Sequence, residues 1–92
     1  MNHDVYISLG SNLGNRKAYL QQAIEGIATR VGTIVDIAPI YETPSWGFSG
    51  EAFLNTCLLC RTFLSPEQVL IQLLQIEHAN VCLTLKATNP VR

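Results

Sequence analysis

The first pattern along the chain is a strict alternation of apolar and polar side chains. Apolar residues stand at every second position of 5–9, namely Val5, Ile7 and Leu9. This period of two is typical of a short strand with one face on a core, and the turn residues Gly10-Ser11-Asn12 end it. Thr33 to Ile37 is β-branched and short. Because Pro39 would remove a ladder donor, we expect a strand that ends or lies at a sheet edge near there.

The longest alternating run extends from Phe53 to Phe63. Its two faces would carry Leu54, Leu58 and Cys60 on one side and Phe53, Asn55, Cys57 and Leu59 on the other. A run of this length, apolar on most positions, predicts a central strand.

Two segments have the helical period instead. From about Arg16, apolar residues recur at steps of three and four as far as Val31, which predicts an amphipathic helix with Gly32 as its left-handed C-terminal cap. The run Ser65-Pro66-Glu67-Gln68 predicts the start of a second helix, because serine is a good N-cap and the glutamine three residues later can reach back to it. Its apolar period continues to about His78.

The element order is therefore β-α-β-β-α, with both helices in need of a sheet face to cover. It predicts one α+β domain over residues 1–92, a ferredoxin-like sandwich with an antiparallel-containing sheet and helices on one face, incomplete at its C-terminal end. The weakly alternating tail, Val81 to Leu85, could add a short last strand that stops before Asn89-Pro90. An unfinished sheet would leave the first strand's edge unpaired, so a dimer through that edge is an arrangement that the sequence allows.

Composition narrows the class of protein. The chain has 92 residues, of which 48% are hydrophobic and 14% charged, so it suits one folded core better than disorder. A net charge of −1 provides no basic field for nucleic acid. The sequence shows no basic and apolar leader and no run of about 20 apolar residues, so we expect a cytoplasmic protein without a membrane partner. Cys57 and Cys60 have metal-site spacing, but an offset of three on a strand puts them on opposite faces.

Three features carry candidate chemistry, each with a plainer alternative. The run 10–15 between a strand and a helix can hold an anion or a polar ring, or simply be a turn and a helix cap. In the loop 41–48, Trp46 and Phe48 must pack against the core or a planar ligand. Asn55, on an apolar strand, needs partners for its donor and acceptor, which a heterocycle or the loop backbone can supply.

Four motifs, in this order and at these spacings, resemble one family. They are Tyr6-Ile7-Ser8-Leu9-Gly10-Ser11-Asn12-Leu13-Gly14, then Tyr41-Glu42-Thr43-Pro44 with Trp46-Gly47, then Phe53-Leu54-Asn55, and finally Leu64-Ser65-Pro66 with the helix to Ile76-Glu77. From about Val5 to Glu77 the chain resembles the N-terminal part of 6-hydroxymethyl-7,8-dihydropterin pyrophosphokinase.

The resemblance implies transfer of a pyrophosphoryl group from ATP to the hydroxymethyl oxygen of the pterin, with AMP released and two Mg²⁺ ions bridging the phosphates. The pterin-binding positions that it implies are Gly10, Thr43, Pro44, Trp46, Phe53 and Asn55. In this expectation Phe53 stacks on the pterin and Asn55 hydrogen-bonds its edge. Glu77 matches a family position near the nucleotide, and Arg92 is a candidate phosphate contact.

The sequence departs from the family pattern after Glu77. There the family continues with a Gly-Arg-x-Arg-type loop and a strand bearing an Asp-x-Asp pair that binds both Mg²⁺ ions, whereas residues 78–85 contain neither. No metal ligand and no catalytic residue is therefore assigned. Because phosphoryl transfer depends on positioning and charge neutralisation, we expect a crippled transferase. The alternative is a non-catalytic ferredoxin-like domain that binds a ligand or dimerises.

Overall fold

The sheet is built from strands that are far apart in sequence. The structure, a computed structural model, describes residues 2–11, 14–43, 52–77 and 81–90. Its elements in chain order are β1 (His3–Ser11), α1 (Arg16–Arg30), β2 (Thr33–Ile37), β3 (Tyr41–Thr43), β4 (Phe53–Thr62), α2 (Pro66–Ile76) and β5 (Cys82–Pro90). The strand order is β2-β4-β1-β5, and β3 also pairs with β4. The predicted α+β, ferredoxin-like class is confirmed.

Strand β1 lies in the middle of the sheet, with an antiparallel neighbour on each side. It pairs with β4 from His3 opposite Thr62 to Ser11 opposite Leu54. On its other side it pairs with β5 from His3 opposite Pro90 to Gly10 opposite Cys82. The expectation that the first strand has an unpaired edge is therefore wrong, because β5 pairs with that edge. The described sheet gives no support for a dimer formed through it.

Strand β5 is longer than the sequence pattern indicated. Val81 and Leu83 are buried, which gives the strand an apolar face on the core. Asn89-Pro90 does not stop it early, because the strand lies outermost in the described sheet, where a proline needs no ladder donor. Strand β5 therefore takes the place beside β1 that we expected to be empty.

The core fills the space between the sheet and the two helices. Its strand side chains come from alternate positions, as the pattern predicts, and all are at most 9% exposed. They are Val5, Ile7, Leu9, Leu54, Leu58, Cys60, Val81 and Leu83, against Leu20, Ala23, Ile27, Val69 and Leu73 of the helices. Neither described helix is long and apolar enough to span a membrane.

Local sequence rules predict the start of α2 correctly and the end of α1 incorrectly. The capping box of α2 is confirmed, since Ser65 Oγ accepts from the Gln68 N–H at 3.2 Å and Gln68 Oε1 accepts from the Ser65 N–H at 2.9 Å. The left-handed cap at Gly32 is wrong, because Gly14 is the residue with positive φ in the described chain. A Cβ on Gly32 would lie 2.1 Å from the carbonyl oxygen of Arg61. This glycine therefore allows the connection between α1 and β2 to pass close to β4.

Candidate functional site

The candidate site lies on the sheet face that points away from the helices. Because buried positions alternate along β1 and β4, the intervening side chains point to this opposite face. Near the end of β1, a cavity of about 180 Å³ opens on it. Its lining residues come from three adjacent strands: Ser8, Leu9, Gly10, Phe53, Asn55, Cys82 and Thr84.

Strand register explains why a cavity forms here. Gly10 lies opposite Asn55 on β4 and opposite Cys82 on β5, so the three residues form one row across the sheet. The middle member has no side chain and leaves a depression. A Cβ on Gly10 would stand 3.2 Å from Asn55 Oδ1 and 3.8 Å from Phe53 Cδ1. Gly10 is therefore the floor of the cavity, with the amide and the aromatic ring beside it.

The Asn55 side chain is held in one orientation by its donor group. Its Nδ2 donates to Thr43 Oγ1 at 2.9 Å, and more weakly to the Phe53 carbonyl oxygen at 3.4 Å. Thr43 reaches it because β3 pairs with β4, with Tyr41 opposite Asn55. With Nδ2 engaged, Oδ1 lies above Gly10, where it can accept a hydrogen bond from a ligand. The partner on β3 is a hydroxyl, whereas the plainer alternative expected loop backbone.

The structure brings together four of the residues that the resemblance assigns to pterin binding. Gly10, Phe53 and Asn55 line the cavity, and Thr43 holds the Asn55 amide. Pro44 and Trp46 lie outside the described residues, as does Arg92 of the nucleotide prediction.

Glu77 has a structural contact away from this cavity. It is the C-cap residue of α2, and its Oε2 accepts the backbone N–H of Leu83 at 2.8 Å. The carboxylate thereby fixes the start of β5 beside the end of α2. The residues that line the cavity do not include it.

Sequence reasoning missed Arg16, which joins three parts of the chain next to the site. Its Nη1 donates to the carbonyl oxygen of Ala52, and its Nη2 lies 3.8 Å from Glu42 Oε1. The first residue of α1 thus contacts β3 and the residue before β4. The sequence gives no signal for this, because both partners are more than 20 positions away.

Ser8, Cys82 and Thr84 were also missed as lining residues. Ser8 had a usable signal, since it stands two positions before Gly10 on a strand and must share its face. Cys82 and Thr84 had a weaker one, because the tail's alternation gives a strand without saying which strand it pairs with. A second depression of about 380 Å³ continues the same face near Tyr6 and Asp36, and the Ser8 Oγ to Cys57 Sγ contact of 3.4 Å lies between the two.

Metal-binding groups are sparse in the described part of the chain. No group of three or more His, Cys, Asp or Glu side chains there is arranged to hold an ion. The Asp4 carboxylate pairs with Arg61 Nε at 2.9 Å. Cys57 is exposed and Cys60 buried, on opposite faces as predicted. Burial, with a smaller contribution from Asp4, raises the pKa of the Cys60 thiol to about 11, so it stays protonated and inert at neutral pH.

The described residues form a ferredoxin-like α+β domain with two helices on one sheet face and a small cavity on the other. The sequence matches the family model described as 7,8-dihydro-6-hydroxymethylpterin-pyrophosphokinase (HPPK) over residues 6–87. The chain belongs to this family. The match includes the first part of β5, beyond the resemblance noted from the motifs.

Curated relatives agree with this assignment. A 2-amino-4-hydroxy-6-hydroxymethyldihydropteridine pyrophosphokinase of Porphyromonas gingivalis is 46% identical over 67 residues, covering 72% of this chain and 46% of the relative. The proteins of the same name from Bacillus subtilis and Aquifex aeolicus are 39% and 38% identical, over 85% and 79% of this chain and 48% and 46% of the relatives. The chain therefore spans about half the length of the curated relatives it matches.

Proposed function

We propose that this chain serves the pyrophosphokinase reaction of its family in folate biosynthesis, and that its described residues supply the pterin pocket. In that reaction the hydroxymethyl oxygen of 6-hydroxymethyl-7,8-dihydropterin attacks the β-phosphorus of ATP. The bond from that phosphorus to the α,β-bridging oxygen breaks, AMP leaves, and the hydroxyl proton is lost. Family membership over residues 6–87 supports this proposal.

The orientation of Asn55 is the observation that carries the pterin assignment. Its amide nitrogen is held by Thr43, and its Oδ1 is presented above Gly10 at the cavity floor. A pterin is flat and carries N–H groups on its edge, so it can donate to Oδ1 while one face lies on the Gly10 backbone. The Phe53 ring borders the same cavity and offers a stacking surface. Pro44 and Trp46 remain proposed contacts on the strength of the resemblance.

The proposed nucleotide contacts are Glu77 and Arg92. Glu77 would act by fixing the first residues of β5 through Leu83, and Arg92 by contacting a phosphate. Transfer without groups that neutralise the phosphates is slow, because positioning and charge stabilisation supply most of the acceleration. We therefore propose that this chain binds the pterin well and turns over poorly.

Calorimetric titration with 6-hydroxymethyl-7,8-dihydropterin tests the pocket. Asn55→Leu keeps the side chain's size, removes the acceptor, and should weaken binding at least about tenfold, which corresponds to about 1.4 kcal/mol. Leu59→Thr, on the same strand and face but outside the cavity lining, is the matched control and should bind as the wild type. Equal affinity of Asn55→Leu and wild type, with both folded, would reject the assignment.

The turnover proposal has its own measurement. AMP release from ATP in the presence of the pterin and Mg²⁺ should be slow for the isolated chain, but above the background rate without protein. Robust Mg²⁺-dependent release would contradict poor turnover while leaving the pterin pocket intact.

A non-catalytic ligand-binding domain of the same fold is the second candidate. It is favoured by the chemistry of the described lining, in which the polar side chains are serine, threonine, asparagine and cysteine. This candidate would be favoured over a slow transferase if the chain binds the pterin but AMP release stays at background under all conditions. Those conditions include the addition of the substrates and ions that the family reaction uses.

A further inference from the structure

Strand β5 lies where the family resemblance implies a metal-binding strand. It is the strand that follows Glu77 and the end of α2, and the family match extends to residue 87. Cys82 and Thr84 are two positions apart on β5, are both exposed, and both line the cavity. They lie opposite Gly10 and Ser8 of β1. Following the resemblance, we infer that these two side chains stand where the family has its Asp-x-Asp pair.

The residues present do not fit Mg²⁺. That ion prefers hard oxygen ligands, usually including one or two carboxylates, whereas a thiol is a soft ligand. The side chains described around this cavity provide two hydroxyls, one amide and one thiol, and no carboxylate. Glu77, which precedes β5 in the chain, already accepts a hydrogen bond from the Leu83 N–H at 2.8 Å. Among the described residues that line the cavity, none carries a negative charge that would offset a dication.

We propose that this cavity binds the pterin without a divalent cation. In this proposal the cavity does not hold a cation because Cys82 and Thr84 stand at the two positions where carboxylates would be needed. The naming of the pterin depends on the proposed function, whereas the role of the two β5 residues depends on their placement alone. Pterin affinity should be the same with Mg²⁺ and with a chelator. Replacing both residues by aspartate should create a cation site that the natural chain does not have.

Strand geometry makes the double replacement a direct test. Residues two apart on a strand share a face, about 6.6 Å from each other along the strand. Aspartate side chains from such positions can converge on one ion or hold two neighbouring ions. Because Cys82 and Thr84 are exposed, new carboxylates there remain hydrated and the fold should tolerate them. Their mutual repulsion in the absence of metal should be relieved when the ion binds.

The experiment compares three proteins, using Mn²⁺ and Mg²⁺ as the probes. They are the wild type, C82D/T84D, and a control with the same added charge at exposed positions two apart on β2, T33D/V35D. Mn²⁺ binding is followed by its electron paramagnetic resonance signal, and folding by the melting temperature with and without Mg²⁺. We expect C82D/T84D to bind Mn²⁺ at least tenfold more tightly than both other proteins and to gain melting temperature on adding Mg²⁺.

The outcomes separate this inference from the proposed function. Mn²⁺ binding by the wild type, or equal binding by the two double variants, would overturn the role of Cys82 and Thr84. A tenfold rise in the wild type's pterin affinity on adding Mg²⁺ would overturn cation-independent binding. Failure of the wild type to bind pterin under any condition would reject the proposed function, and the Mn²⁺ comparison would still decide what β5 presents to the cavity.

Discussion

Gly10→Ala should weaken pterin binding while leaving the fold intact. The added methyl group would stand 3.2 Å from Asn55 Oδ1 and 3.8 Å from Phe53 Cδ1. The second distance is an ordinary contact, and the first requires the amide to move by a few tenths of an ångström. Alanine is better than glycine inside a strand by about 0.5–1 kcal/mol. The small displacement offsets part of that gain, so we expect the free energy of unfolding to stay within about 0.5 kcal/mol of wild type.

The loss of affinity follows from where the methyl group lies. It occupies the cavity floor between the amide and the ring, so a flat ligand must lift off the β1 backbone. A gap of 0.5–1 Å forfeits about a quarter to a half of each dispersion contact. The hydrogen bond to Asn55 Oδ1, worth about 0.5–1.5 kcal/mol net, is also stretched. Together these terms give about 1–3 kcal/mol, or roughly a 5- to 150-fold increase in Kd.

Calorimetric titration with the hydroxymethyl pterin measures this change, alongside urea unfolding of the same samples. Gly26→Ala is the matched control, because it also adds one methyl group at a tight contact, in α1 against the side chain of Ile76 at 3.2 Å and away from the cavity. It should leave pterin affinity unchanged. A folded Gly10→Ala protein that binds the pterin within about twofold of wild type would refute the proposed position of the ligand.

Two further predictions concern the scaffold that holds the site. Gly32→Ala should destabilise the fold by about 3 kcal/mol or more in urea unfolding, because its Cβ would lie 2.1 Å from a backbone oxygen, that of Arg61, which cannot rotate away; a loss below about 1 kcal/mol would show that β4 yields easily. Cys60 should make the free energy of unfolding fall as pH rises from 9 toward 11. Its thiol has a pKa of 9.0 in the unfolded chain and about 11 in the folded chain, so over this range ionisation stabilises the unfolded state. Cys60→Val should show a shallower decline over that range, and identical pH profiles would contradict the raised pKa.

Local patterns predict the elements well because each element has its own periodicity. Alternation identifies β1 and β4, and the Ser65 to Gln68 box identifies the start of α2. Asn55 stands out for a related reason, as a polar residue on a strand that is otherwise mostly apolar. These signals need no knowledge of which strands are neighbours.

The remaining features depend on contacts between distant segments. Gly32 leaves room for the Arg61 backbone on β4, so a rule about helix ends gives the wrong reason for the glycine. Arg16 is linked to Glu42 and Ala52 only after β3 has paired with β4. The edge position of the first strand was likewise predicted wrongly, because a weak alternation in the tail does not show that it pairs along nearly all of β1.

The proposed pterin contacts and the proposed cation positions lie on different strands. The floor and the acceptor come from Gly10 on β1 and Asn55 on β4, which are paired through the centre of the sheet. The third wall comes from Cys82 and Thr84 on β5, the outermost of these three strands. Cys82 and Thr84 of β5 face solvent, so replacing them can change the charge at the site. The row through Gly10 and Asn55 depends instead on the register of two inner strands. Under the proposed function, β5 can therefore lack cation ligands while Gly10 and Asn55 still present the proposed surface for a flat heterocycle.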